Sequence, residues 1–187
     1  MIVVNLLKIL FKNLLKKFFS IVFLILAFCQ PINAYETDES INMSEDVPAD
    51  MIYYFELAGN AFDICPEVLE AIAYHESRFF PESKNGQCYG IMQINVKVHK
   101  KRIQKYGWTE KDMLDPLKNI IVAADLLEEL YEKYEDSGAV LAIYSGNYNA
   151  AKEYEKSGVL CNYANVILDK SYELEELHRK HEVKDGK

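Results

Sequence analysis

From residue 51 onward the sequence consists of segments with helical periodicity joined by short connections, and no stretch alternates as a strand would. Pro66, and Asp115 followed by Pro116, mark helix starts, because proline fits the first helical turn. The segments cover residues 49–62, 65–77, 96–107, 115–136, 139–146, 149–158 and 162–180. The pattern predicts a mainly α domain over 51–182 with six or seven helices. The only candidate for extended structure is the loop at 80–89.

The first 34 residues differ from the rest of the chain. Four lysines precede an apolar run of 11 residues, Phe18 to Phe28, and the small residue Ala34 follows. This order predicts a secretory signal peptide over 1–34, with an uncleaved N-terminal anchor as the alternative. The run is short for a membrane-spanning helix. Residues 35–50 hold six acidic residues and no Lys or Arg, which predicts a solvated linker. We therefore expect an exported, extracytoplasmic protein of the cell envelope or the medium.

The charge balance restricts the class of partner. The leader holds four of the 21 basic residues and no acid, so 17 basic residues stand against 29 acidic residues in the remainder. Nucleic acids and anionic membrane surfaces attract basic proteins, and both are therefore poor candidates as partners. Contact with a membrane is expected only through the N-terminal segment, if it is not cleaved. Binding to an anionic polymer would depend on local shape and hydrogen bonds.

The four cysteines are too few for a disulfide scaffold, and their spacing does not resemble that of a zinc site. Without Cys29 of the leader, three remain: Cys65, Cys88 and Cys161. A bridge between Cys65 and Cys88 would stiffen the segment between them after export. Buried free thiols are the alternative. No metal and no cofactor is implied.

The helix that begins at Pro66 carries a carboxylate on its apolar face. Leu69, Ile72, Ala73 and Glu76 follow the i, i+3, i+4, i+7 pattern of one helix face, whereas Glu67, Glu70 and His75 fall on other faces. A carboxyl group that faces an apolar interior loses hydration in its charged form, which raises its pKa. Such an acid can donate a proton near neutral pH. The alternative is a solvated side chain at a frayed helix end.

The residues after Glu76 resemble the signature of the soluble lytic transglycosylases within the lysozyme-like superfamily. The matching positions are Glu76, Ser77, Phe79, Pro81, Gly90, Ile91, Met92 and Gln93, and Ile94 with Asn95 continues the match. Three later stretches resemble further family motifs in the same order: "LDPLKNIIVAADLL", "LAIYSGNYNAA" and "CNYANVIL". They place Tyr144 and Tyr163 on two family tyrosines. Ser145 stands where the family usually has Asn, and Gly146 comes one position early.

The resemblance implies a lysozyme-like single domain with a loop or short extended segment beside a cleft. It also implies cleavage of peptidoglycan between N-acetylmuramic acid and N-acetylglucosamine, with formation of an anhydro-muramic end. Most glycosidases use two carboxylates. After Glu76, the only acid before Glu110 is Glu82, which favours a single carboxylate, although a distant acid such as Asp115 remains open. The alternatives are a muramidase that uses water and a non-catalytic wall-binding module.

The resemblance also assigns roles to individual residues. Glu76 is the expected general acid and then base, and Ser77 is expected to brace the acid or the loop. Contacts to the sugar are expected from Met92, Gln93, Asn95, Tyr144 and Tyr163. From the residues alone, Gln93 and Asn95 could equally be loop-capping amides, Met92 a core residue and the tyrosines structural hydroxyls. His75 and His99 are expected at the surface without a catalytic role. By analogy with small exported members of the family, a secretion or conjugation apparatus is a possible partner.

Overall fold

The computed structural model describes residues 47–185. The predicted leader, 1–34, and most of the predicted linker lie outside these residues and stay predictions. Helix α1 begins at Ala49, so the end of the predicted linker is already helical. Within 47–185, no helix combines the length and the apolar character needed to cross a bilayer.

Seven α-helices, one 3-10 helix and three two-residue strands form the described part of the chain. The helices are α1 Ala49–Phe62, α2 Pro66–Ser77, α3 Lys100–Lys105, α4 Pro116–Tyr134, α5 Ser137–Tyr144, α6 Tyr148–Ser157 and α7 Asn162–Asp185. The strands are β1 Lys84–Asn85, β2 Cys88–Tyr89 and β3 Ile94–Asn95, and the 3-10 helix spans Glu110–Leu114. The prediction of a mainly α fold with a short extended segment is confirmed.

The helix starts follow from local sequence signals. Asp115, Asp136 and Asn147 precede α4, α5 and α6, and the side chain of each accepts a hydrogen bond from a backbone N–H of the first turn. Each bond satisfies a donor that the helix itself leaves unpaired. Helix α2 begins with Pro66 and ends where Arg78 adopts a φ of 54°.

The core is built around α4. Residues 120–124 of this helix are five consecutive, fully buried apolar residues, so the helix is covered on all sides. Helix α1 packs on α4, and α2 packs on α1 and along α7. This packing brings the C-terminal end of α2 close to the beginning of α7.

The three strands form one antiparallel sheet in the order β1–β2–β3. Cys88 on β2 lies opposite Asn85 on β1 and opposite Asn95 on β3. The first two strands fall in the loop where extended structure was predicted, and β3 follows it. Between β2 and β3, Gly90 has a φ of +80°, and a Cβ there would lie 2.0 Å from the carbonyl oxygen of Met113. Only glycine fits this close approach of two backbones.

The three cysteines of the described part are free thiols, so the bridge considered between Cys65 and Cys88 is not formed. Cys65 precedes α2, and Cys88 lies near Glu76 at the other end of this helix. A helix of 12 residues is about 18 Å long, far more than a disulfide spans. The alternative of free thiols is confirmed, but the thiols are not buried, since Cys65 is exposed and Cys88 and Cys161 are half-buried.

Candidate active site

Glu76 lies in the last turn of α2 and is half-buried. The hydroxyl of Tyr163, on the first turn of α7, donates a hydrogen bond of 2.8 Å to its Oε1. Burial raises the pKa of Glu76 above its ordinary value, although the bond from Tyr163 and the charge of His75 oppose this shift. The carboxyl group of Glu76 is therefore less hydrated than that of a solvated Glu at a helix end, while part of it remains accessible to solvent.

Glu70, on the same helix, is more deeply buried than Glu76. The periodicity assigned it to another face, and this face is covered as well, so that its exposed fraction is 0%. Neither carboxyl oxygen has a hydrogen-bond partner among the described residues, and Nε2 of His178 lies 3.5 Å from Oε2. Burial raises the pKa of Glu70 to about 8, and the charges of Glu67 and Glu56 add to the shift.

Ser77 joins the end of α2 to the turn that follows β2. Its Oγ lies 2.8 Å from the carbonyl oxygen of Ile91 and 3.2 Å from that of Ala73 in its own helix. The hydroxyl thus binds backbone on both sides. It fixes the position of the turn relative to the helix end that carries Glu76.

The turn at Met92 and Gln93 uses its polar groups internally. The Met92 side chain is fully buried, as expected for a core residue. Gln93 has a φ of 48°, and its Nε2 donates to the carbonyl oxygens of Gly90 at 2.8 Å and Ser83 at 3.2 Å. The amide nitrogen of Gln93 is therefore engaged by the loop.

Asn95 ends β3, and its Oδ1 accepts hydrogen bonds from the backbone N–H groups of Lys97 at 3.2 Å and Val98 at 3.1 Å. Its side-chain oxygen caps the turn that follows the strand. The side-chain Nδ2 of Asn95 makes no hydrogen bond among the described residues, and it is the group that could bind a ligand.

The two tyrosines differ in their partners. Tyr144, at the end of α5, donates a hydrogen bond of 3.0 Å to the carbonyl oxygen of Met92, whereas Tyr163 contacts Glu76 directly. Burial raises the pKa of both phenols, so both remain neutral donors.

The ring of His75 packs edge-on against Tyr163, with 4.8 Å between the ring centroids. His75 is exposed as predicted, while His99 is half-buried rather than at the surface.

The sheet and the acid are close enough to interact electrostatically. Burial raises the pKa of the Cys88 thiol, and the charge of Glu76 adds to the shift. Among the described residues, no carboxylate contributes to the pKa shift of Glu76. Asp115, the distant candidate for a second acid, caps α4 instead, and Glu82 is exposed. A single carboxyl group dominates this site.

Asn119 is a positioning residue that the sequence reasoning missed. It is fully buried in α4. Its Oδ1 accepts from the N–H of Met92 at 2.7 Å, and its Nδ2 donates to the carbonyl oxygens of Tyr89 and Met113. The signal in the sequence was a single amide side chain at the start of the apolar run "NIIVAA". A polar side chain that is buried there requires hydrogen-bond partners.

The contact of His75 with Tyr163 was also not predicted, since it joins residues 88 positions apart. Nothing in the local pattern of α2 indicates such a partner. Among the described residues, no group of three or more His, Cys, Asp and Glu side chains is arranged to hold a metal ion.

Comparison with known proteins gives one family match and several relatives. The model of the family described as "Transglycosylase SLT domain" matches residues 53–159. Invasion protein IagB of Salmonella typhi is 34% identical over 126 residues, which cover 64% of this chain and 76% of that protein. IagB of Salmonella typhimurium strain SL1344 is 35% identical over 118 residues, with 60% and 71% covered.

X polypeptide of Escherichia coli is 28% identical over 100 residues, which cover 50% of this chain and 59% of that protein. The matched family range includes Glu76 and the turn at Met92 and ends before Tyr163. The resemblance seen in the sequence motifs is thus confirmed.

Proposed function

Because the chain belongs to the transglycosylase SLT domain family, whose substrate is peptidoglycan, we propose that it is an exported lytic transglycosylase. It cleaves the bond between N-acetylmuramic acid and N-acetylglucosamine and leaves an anhydro-muramic end. The observation that carries this proposal is the half-buried Glu76 carboxyl, whose pKa is raised by burial and on which no second acid acts among the described residues.

A single carboxyl group suffices for this reaction if it serves twice. Protonated Glu76 gives its proton to the glycosidic oxygen, and the bond from this oxygen to the anomeric carbon breaks with its electron pair on the oxygen. The acetamide of the muramic residue supports the positive charge. The C6 hydroxyl of the same sugar then attacks the anomeric carbon and gives its proton to Glu76, which restores the acid.

The attacking hydroxyl belongs to the same molecule as the anomeric carbon, so the step needs no ordered water. Intramolecular attack of this kind lowers the barrier by removing the entropy cost of bringing two reactants together. A raised pKa suits both steps, because the group must hold a proton at first and accept one afterwards.

Tyr163 supports the reaction as a positioning residue. Its hydroxyl binds Oε1 of Glu76 at 2.8 Å and leaves Oε2 for the glycosidic oxygen. Ser77 and Asn119 hold the turn at Met92 in place from two sides. The Nδ2 of Asn95 and the side-chain oxygen of Gln93 are the groups that we assign to the sugar hydroxyls and acetamides.

Mass spectrometry of digested peptidoglycan tests the proposal. The full-length protein should release fragments with anhydro-muramic ends, and Glu76→Gln should release none above background. Glu82→Gln is the matched control, since Glu82 is an exposed carboxylate of the neighbouring loop. Fragments that carry only reducing ends would identify a muramidase and reject the transglycosylase proposal. Binding of the wall without any release of fragments would identify a wall-binding module.

The names of the relatives indicate a cellular context. IagB is described as an invasion protein. We propose that this chain acts in the cell envelope, beside a machine that crosses the wall. Export is supported by the sequence of 1–34. Proteinase treatment of intact and of wall-stripped cells tests it, because a cytoplasmic protein would stay protected in both.

A further inference from the structure

The segment from Lys97 to Lys105 has a charge unlike that of the rest of the chain. It holds five basic residues and no acid, whereas beyond the leader the chain has 17 basic and 29 acidic residues. Helix α3 lies within this segment. A cluster of this kind creates a local positive potential on an otherwise acidic protein.

The inner side of this segment is neutralised by the core helix α4. Arg102 pairs with Asp125 at 2.8 Å and with Glu129 at 2.5 Å, and Lys105 pairs with Asp125 at 2.6 Å. Ile103 between them is buried. These contacts fix α3 on the domain, and their charges are compensated there.

The outer side of the segment is not neutralised. Lys97, Lys100 and Lys101 are exposed and form no ion pair among the described residues. Val98 lies between them with 70% of its surface exposed. Three uncompensated ammonium groups within five residues, beside an exposed apolar side chain, form what we call the lysine surface.

The lysine surface begins at the edge of the candidate active site. The Oδ1 of Asn95 accepts hydrogen bonds from the backbone of Lys97 and Val98, so strand β3 leads directly into it. Asn95 pairs across the sheet with Cys88, whose thiol lies within the electrostatic range of Glu76. A polymer bound at Glu76 and Asn95 therefore lies next to these lysines.

We propose that Lys97, Lys100 and Lys101 bind the carboxylates of the peptide stems that the glycan strand carries. This inference rests on the proposed function and deepens it by naming a second part of the substrate. The sugars offer hydroxyl and acetamide groups, while the stems offer carboxylates that the acidic remainder of the chain repels. Exposed lysines next to the site reverse this repulsion locally and orient the strand.

Initial rates on two substrates test the proposal. The variant Lys97→Glu/Lys100→Glu/Lys101→Glu in the full-length protein should lose about tenfold in kcat/KM on peptidoglycan with free stem carboxylates, at low salt. The loss should shrink as salt is raised, because exposed charges are screened. On peptidoglycan whose stem carboxylates have been converted to amides, so that the stems stay in place without this charge, the rate should change by less than about twofold.

The matched control is Lys133→Glu/Lys152→Glu/Lys180→Glu, which makes the same change in net charge at exposed lysines of α4, α6 and α7. It should cleave both substrates at the wild-type rate. Equal losses on both substrates, or equal losses in the control, would overturn the proposal. An unchanged rate of the Lys97→Glu/Lys100→Glu/Lys101→Glu variant on the substrate with free stem carboxylates would also overturn it. An acidic partner protein as the true ligand would appear as such an unchanged rate.

The two proposals fail separately. Absence of anhydro-muramic ends from the wild-type products refutes the proposed chemistry and leaves the ratio of the two rates interpretable. If the loss of rate does not depend on the stem carboxylates, the proposed role of the lysine surface is refuted and the proposed chemistry is unaffected.

Discussion

Helix α2 carries two acids with raised pKa values in very different surroundings. Glu76, in the last turn, is half-buried, and Tyr163 donates a hydrogen bond to it. Glu70 lies six residues earlier, about 9 Å along the helix, and is fully buried without a hydrogen bond among the described residues. Its pKa is raised to about 8.

The comparison separates pKa from catalytic competence. Burial is the largest cause of the raised pKa for both groups. Only Glu76 keeps a surface that a substrate could reach, together with a donor that orients the ionised form. A raised pKa indicates a functional acid only when access and a partner accompany it.

Glu70 instead lies where α7 packs along α2. His178 of α7 approaches both Glu67, at 3.1 Å, and Glu70, at 3.5 Å. The same pair of helices joins Glu76 and Tyr163 at its other end. One end of the pair thus holds the half-buried Glu76, and the other end holds the fully buried Glu70.

The largest expected effect is the loss of cleavage in Glu76→Gln. Removing the proton donor and acceptor should lower kcat by about 10³-fold or more, because general acid–base catalysis contributes at least two powers of ten to each step. The melting temperature should stay within a few degrees of wild type. Release of anhydro-muramic fragments measures the first, and thermal unfolding measures the second. Activity above one tenth of wild type would remove Glu76 from the mechanism.

Glu70→Gln should alter stability and leave cleavage intact. The folded state keeps the proton of Glu70 up to about pH 8, whereas the unfolded chain releases it near 4.5. The stability from the neutral form is therefore complete below pH 4.5 and is lost as the pH rises towards 8. Glutamine does not ionise, so the free energy of unfolding of the variant, relative to wild type, should rise by a few kcal/mol between pH 5 and pH 9.

Denaturant unfolding at several pH values measures this difference. Glu175→Gln, an exposed acid on α7, is the control and should follow the wild-type pH dependence. Parallel curves for wild type and Glu70→Gln would show that Glu70 is ionised in the folded protein. A large loss of cleavage in Glu70→Gln would make the two acids of α2 functionally alike.

Tyr163→Phe should weaken catalysis without abolishing it. The hydroxyl stabilises the ionised form of Glu76, so its removal raises the pKa of Glu76 further and frees the carboxylate to rotate. We expect kcat to fall about tenfold and the alkaline limb of the pH profile of kcat/KM to move to higher pH. Tyr172→Phe, an exposed tyrosine on the same helix, should change neither. A lower kcat with an unmoved limb would mean that Tyr163 acts only through packing.

The sequence predicted the helices well, because they have local signals. Pro66, Asp115 and the glycines mark helix ends, and the apolar stripe of α2 leads to Glu76. Strand β3 was not predicted, because its two residues are too few to show the alternation of apolar and polar residues that indicates a strand. Met92 was expected to contact the sugar, and its side chain is fully buried.

The burial of Glu70 could not be read from periodicity. The apolar stripe of α2 predicts one buried face of this helix. A second face is buried because α2 also packs along α7, which lies almost 90 residues further along the chain. The pairing of Glu76 with Tyr163 has the same origin, because the two residues are 87 positions apart in the sequence. The sequence named both residues, and only the fold shows that they touch.

The smallest expected effect belongs to His75, whose charge lowers the pKa of Glu76 less than the hydrogen bond from Tyr163 does. His75→Gln removes this charge and the edge-on contact with Tyr163. The alkaline limb of the kcat/KM profile should move to higher pH by less than it does in Tyr163→Phe, with a loss in kcat of about twofold. His75→Lys restores a positive charge without the ring, so the limb should return towards its wild-type position if charge is the cause. A limb that stays displaced in His75→Lys would show that His75 acts by holding the tyrosine ring.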